Sequence, residues 1–194
     1  MYPSIDDRLD QAYGQLKEGH WENAIESFSE CLLLGPGESR IYYGRGMAHF
    51  QLGKWATSIL DFKRAIDIDP EDPENWIGLG MGLAMDSRIY EAVEVFENLL
   101  AEKPGYIRAH IQLAQLYYRL GVIGKGHAQL DAALAQRPAL AERRQIEQLK
   151  KEQTTLDKRR YYRPDFEALR RQNQNSGGFL EKIKDLFSKK SVDK

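Results

Sequence analysis

The chain has 194 residues, 42% of them hydrophobic and 29% charged, with a formal net charge of −1. That is enough for one ordinary domain or a short repeat array. The single cysteine, Cys31, excludes an intramolecular disulfide, and no apolar run approaches the ~20 residues that span a bilayer.

The near-zero charge hides an asymmetry. Residues 1–140 hold 13 Lys/Arg against 20 Asp/Glu, and residues 141–194 hold 15 against 9. An acidic body is followed by a basic tail. The N-terminus contains Asp6, Asp7, Arg8 and Asp10, which no secretory signal peptide would carry in place of its apolar run. The expectation is a cytoplasmic protein, at most peripheral to a membrane.

Pro36, Pro70, Pro104 and Pro138 recur every 34 residues. A fixed period of this size points to a repeat architecture. The period frames units 5–38, 39–72, 73–106 and 107–140. In this frame the eighth place holds Ala12, Gly46, Gly80 and Ala114, and the twentieth Ala24, Ser58, Ala92 and Gly126. The twenty-fourth holds Phe28, Phe62, Phe96 and Leu130. Small residues let two helices approach, and a large residue four places on fills the gap beside that contact. Gly19, Gly53 and Gly121 share the fifteenth place and supply backbone freedom for a turn between two helices, A and B. The proline stops helix B. One such hairpin cannot bury its apolar face, but a stack of four can.

The register resembles the tetratricopeptide repeat family over Ile5 to Leu140. Trp76, Leu79, Gly80, Ala92, Phe96 and Pro104 carry the likeness best, whereas Arg8, Gln11 and Gly126 depart from it. The fold class expected is all-α: a right-handed superhelical solenoid of four helix-turn-helix repeats, a C-terminal capping helix and a tethered amphipathic helix. The cap is placed at 141–163, with Leu140, Ile146, Leu149 and Leu156 as its large apolar residues.

Pro164 breaks that helix. A short helix and a polar, glycine-ended linker fill 164–178, and a basic helix occupies 179–194. Phe179, Leu180, Ile183, Leu186 and Phe187 form one stripe of this last helix, with Lys182 and Lys184 off it. Three readings stand for it: a membrane surface, a protein partner, or a fold-back over the body.

The resemblance implies that the A helices line a concave peptide-binding groove. The residues assigned to it are Tyr13 of the first unit; Arg40, Tyr43, Gly44, Met47 and Phe50 of the second; Ile77, Gly78, Met81 and Met85 of the third. The fourth contributes Arg108, Ile111, Gln112, Gln115, Tyr118 and Arg119. The groove is apolar and methionine-rich in its middle, which suits irregular apolar partners. Gly44 and Gly78 are expected to deepen it by lacking side chains. Family members that grip the carboxylate of a chaperone tail use Lys, Asn and Arg at places that here hold Leu9, Tyr13, Gly44, Glu74 and Gly78, so that clamp is not expected.

No chemistry-bearing constellation emerges. His20, His49, His110 and His127 show no short ligand spacing. His49 and His110 fall on the helix A seam, and Cys31 takes a small-residue place on helix B, so all three read as packing residues. No phosphate loop precedes a helix. Neither metal nor cofactor is expected, and the chain is not expected to be an enzyme. The function expected is a scaffold or adaptor binding an apolar peptide or helix in its groove, with the last helix docking to an anionic membrane surface or a partner. The alternative is self-assembly into a homo-oligomer, the last helix filling a neighbour's groove. Nucleic acid is disfavoured by the acidic body.

Overall fold

A computed structural model describes residues 4–35 and 37–157. Pro36, the end of the cap beyond Asp157, the linker and the basic helix of 179–194 lie outside the described residues. Those described form helices joined by short turns, with no strand among them. They are α1 (Ile5–Glu18), α2 (Trp21–Leu34), α3 (Ser39–Gln51), α4 (Trp55–Ile68), α5 (Pro73–Met85), α6 (Ile89–Glu102), α7 (Ile107–Arg119), α8 (Ile123–Ala135) and α9 (Leu140–Asp157). They fall into two compact units, Met1–Arg88 with α1–α5 and Ile89–Lys194 with α6–α9.

The helix ends follow from local chemistry. A capping box opens α1: the Asp7 amide donates to Ser4 Oγ at 3.1 Å, and the Ser4 amide donates to Asp7 Oδ2 at 2.9 Å. The Ser4 hydroxyl, which donates to Asp7 Oδ2 at 2.8 Å, and then the Ser4 amide favour the Asp7 carboxylate and lower its pKa. Asp72 accepts the Glu74 amide at 2.9 Å and Pro73 begins α5, which wastes no donor at the first turn. The A-to-B turns pass through left-handed backbone at Gly19, Gly53 and Gly121, with φ of 83°, 72° and 76°. Ser87 stands at the same place in the α5–α6 turn and adopts φ 64° without being glycine, a conformation that costs an L-residue about 1–2 kcal/mol.

In the first unit, α1 packs on α2, α2 on α3, α3 on α4 and α4 on α5. Phe28 and Phe62 are the wedges, each fully buried. The Phe28 ring meets Tyr13 edge-on at 5.0 Å and lies against Gly44 of the next A helix. Phe62 stands between Gly46 and Gly78 in the same manner. Each wedge thus joins its own hairpin to the following one, at the small places read from the sequence and at one more, the sixth.

In the second unit, α6 packs on α7, α7 on α8 and α8 on α9. Its core holds Ala114, Tyr118, Leu130, Ala133 and, from α9, Ile146. The rest of α9 is mostly exposed. Lys150 pairs with Asp131, and Thr154 Oγ1 lies 3.2 Å from His127 Nε2, so two polar contacts to α8 follow the Ile146 anchor, one and two turns further along α9. The proline carbonyl ahead of an A helix recurs as an acceptor: Trp76 Nε1–H donates to Pro70 at 2.8 Å and His110 Nε2–H to Pro104 at 2.9 Å. The other ring nitrogen, Nδ1, lies 2.7 Å from Gln129 Oε1, so the imidazole is held between a main-chain and a side-chain oxygen.

Candidate peptide-binding face

Within the first unit α1 lies against α3 and α3 against α5, so three A helices share one face. The ninth place of the repeat puts Tyr13, Met47 and Met81 in a row across it, all three half-buried. Phe50 and Leu16, equivalent at the twelfth place, flank the row and are half-buried as well. Met85 lies one residue beyond that place and is 46% exposed. Phe50 stacks edge-on with Trp55 at 5.1 Å, which holds its ring in one orientation.

Polar contacts tie the helix starts together at one end of this face. Arg40 donates to Asp6 at 2.7 Å and to Glu38 at 2.5 Å, and these carboxylates hold its guanidinium charged. Tyr13 O–H donates to the Arg40 carbonyl at 2.6 Å, and Tyr43 O–H to Glu74 at 3.4 Å. Burial raises the Tyr13 pKa to about 12 against the nearby Arg40 charge, with Asp72 adding to the rise. The phenol therefore stays a neutral donor. Arg40, expected as an edge residue of the groove, has its charge committed to two carboxylates.

Four residues expected in the groove belong to the core instead. Gly44 and Gly78 do not deepen a groove: a Cβ on Gly44 would lie 2.3 Å from Phe28 Cζ, and one on Gly78 would lie 2.4 Å from Phe62 Cε1. Their missing side chains make room for the wedges. Ile77 is 1% exposed, buried with its neighbours on α5. Tyr118 is 5% exposed, its ring lying where a Cβ on Gly126 would be and its hydroxyl 3.1 Å from His127 Nδ1. Burial raises its pKa to about 12, with Asp131 adding to the rise.

The second unit presents a different A-helix surface. On α7, Ile111 and Gln112 are half-buried while Arg108, Gln115 and Arg119 are exposed. The apolar, methionine-lined face is confined to the first unit.

The seam histidines are buried, His49 at 9% and His110 at 7% exposure, and Cys31 is fully buried with its thiol pKa pushed up by burial. A network escaped the sequence reading. Arg45 grips Asp61 with two bonds, Nε–Oδ2 at 3.0 Å and Nη2–Oδ1 at 2.6 Å, and His49 Nε2 stands 3.8 Å from the same carboxylate. Arg45 and Asp61 hold seam places filled by Leu79 and Val95 in the third repeat. That opposite-charge substitution was the available signal. Among the described residues no group of His, Cys, Asp and Glu is placed to hold a metal ion, and no helix is long and apolar enough to cross a membrane.

Two tetratricopeptide repeat family models match the chain, one over residues 9–73 and one over residues 83–149. The chain belongs to the tetratricopeptide repeat family. The peroxisomal targeting signal receptor of Kluyveromyces lactis is 28% identical over 98 residues, 50% of this chain and 17% of that protein. The chain thus spans less than a fifth of that relative. Among solved structures, a crystal structure of MamA matches with a TM-score of 0.63 at 23% identity, covering 69% of this chain and 78% of that one. That likeness shows the helical-repeat fold. The second tetratricopeptide domain of human RPAP3, solved with the HSP70 peptide SGPTIEEVD, matches with a TM-score of 0.54 at 25% identity, covering 56% of this chain and 91% of that one.

Proposed function

We propose that the protein is a non-enzymatic interaction scaffold whose first unit binds an apolar peptide or helix on the face built by α1, α3 and α5. One observation carries this reading. Tyr13, Met47 and Met81 occupy equivalent places on three successive helices, and with Phe50 and Met85 they leave aromatic and thioether surface uncovered. Packing within the hairpins is satisfied by Phe28, Phe62 and the glycines beneath them, so the residues above the wedges are available to a partner. Relatives support the class: RPAP3 was solved with a bound peptide, and the yeast relative is named as a receptor. Burying a methionine is worth about 1.5–3 kcal/mol when complete, so Met47→Glu with Met81→Glu should cost the partner at least about a hundredfold in affinity.

Selection of displayed helical peptides against the full chain tests the reading. Selected sequences should carry an apolar stripe, and their binding should vanish in the double variant while helicity is unchanged. Stripe-free sequences, or binding indifferent to both substitutions, would refute it.

A further inference from the structure

The partner of that face can be specified further, by charge and by shape, on the assumption that the face binds at all. The body's acidity is not spread evenly. Residues 1–88 contain 15 Asp/Glu against 8 Lys/Arg, a balance of −7, whereas residues 89–140 contain five of each. The unit that carries the apolar face therefore holds the whole of the body's excess negative charge. Carboxylates also gather at the end of the face where the helices start, at Asp6, Glu38, Asp72 and Glu74, whereas at the other end Asp86 is balanced by Lys17 in the last turn of α1. Arg40 at the helix starts is paired with Asp6 and Glu38, so it offsets one of the four carboxylate charges there and leaves that end with a net negative charge.

The geometry sets the shape. Packed helices lie about 8–10 Å apart, so a row crossing α1, α3 and α5 runs about 16–20 Å. A partner helix rises 1.5 Å per residue, and residues at i and i+7 stand about 10.5 Å apart. An apolar stripe at i, i+7 and i+14 thus keeps approximate step with Tyr13, Met47 and Met81. Methionines accommodate the mismatch because their side chains are unbranched and polarizable.

We propose that the first unit's face takes a cationic amphipathic helix, apolar on one side and rich in Lys or Arg on the flanks. An acidic tail such as SGPTIEEVD would meet like charge there.

Two synthetic 18-residue helical peptides test this, with one Leu stripe in common and polar sides made of Lys in one and Glu in the other. Each is titrated into the full chain by fluorescence anisotropy at 50 mM and 500 mM NaCl. The Lys peptide should bind at least tenfold tighter at low salt, and the gap should shrink at high salt as screening shortens to a few ångströms. Met47→Ser with Met81→Ser should weaken its binding at least tenfold with helicity preserved. A Glu peptide that binds as tightly, or a Lys peptide indifferent to the Ser pair, overturns the proposal. If both peptides bind equally and both are lost in the Ser pair, the charge assignment alone fails. If neither binds, the binding face fails with it.

Discussion

Replacing Gly44 with alanine puts one methyl group against the fully buried Phe28 ring. The added Cβ would lie 2.3, 2.6 and 2.9 Å from three atoms of the Phe28 ring, so separation must grow by about 1 Å to reach ordinary contact. Phe28 is fully buried and braced by Tyr13, so the ring cannot swing into solvent. Overpacking of this kind costs about 1–3 kcal/mol, offset by about 1 kcal/mol because alanine is the better helix former. The expected net loss is about 0–2 kcal/mol. Gly14 supplies the control: it lies inside α1 with nothing within 4 Å of its Cβ position, so Gly14→Ala should gain about 0.5–1 kcal/mol. All three tryptophans, Trp21, Trp55 and Trp76, lie in the first unit, so urea unfolding followed by tryptophan fluorescence reports that unit. Combining Gly44→Ala with Phe28→Leu should recover part of the loss, a coupling of at least about 0.5 kcal/mol. If Gly44→Ala stabilises as Gly14→Ala does, the wedge account is wrong.

Ser87→Gly should raise stability by about 1 kcal/mol by relieving the left-handed turn, read as a higher melting temperature; an unchanged or lower one would deny the strain. Asp61→Ala strands the Arg45 guanidinium and should cost about 3 kcal/mol in the same fluorescence assay, where a loss under about 1 kcal/mol would count against the network. Burial lowers the His49 pKa below its usual 6.5, with Asp61 opposing the shift. The unfolded chain then binds the proton more readily, so stability is greatest above the unfolded pKa, declines as pH falls through 6.5 and flattens below the folded pKa. His49→Gln should reduce that slope in unfolding midpoints measured between pH 7.5 and 5. Ile146→Ala should cost about 2–4 kcal/mol at the α8–α9 contact and accelerate amide exchange along α9; exchange as slow as before would show that the polar contacts alone hold that helix.

Much of the fold was legible because the repeat turns packing into spacing. Gly19, Gly53 and Gly121 marked turns whose φ values require them, and Phe28 and Phe62 marked the wedges. What stayed hidden was packing between successive hairpins. Gly44 and Gly78 point away from their own B helices, so a single hairpin shows them as surface, and only the preceding wedge reveals them as core. Tyr118 was misplaced for a related reason. The small Gly126, visible in the sequence as a departure from alanine, is the space its ring fills. Ser87 shows the converse: the turn is imposed by the register even where the residue opposes it. The Arg45–Asp61 pair carries no periodic signature, since it replaces an apolar pair found in the third repeat.

The central claim is that the first unit binds a partner through its methionine-lined face. Three of the four methionines in the chain lie on it, Met47, Met81 and Met85, and the fourth is Met1. Methyl-labelled methionine in the full chain therefore gives four NMR signals, three of which report the face. Adding a Leu-striped helical peptide should shift those three together and saturably while Met1 stays in place. Movement of Met1 alone, or no movement while the peptide demonstrably binds, would place the contact elsewhere and contradict the account.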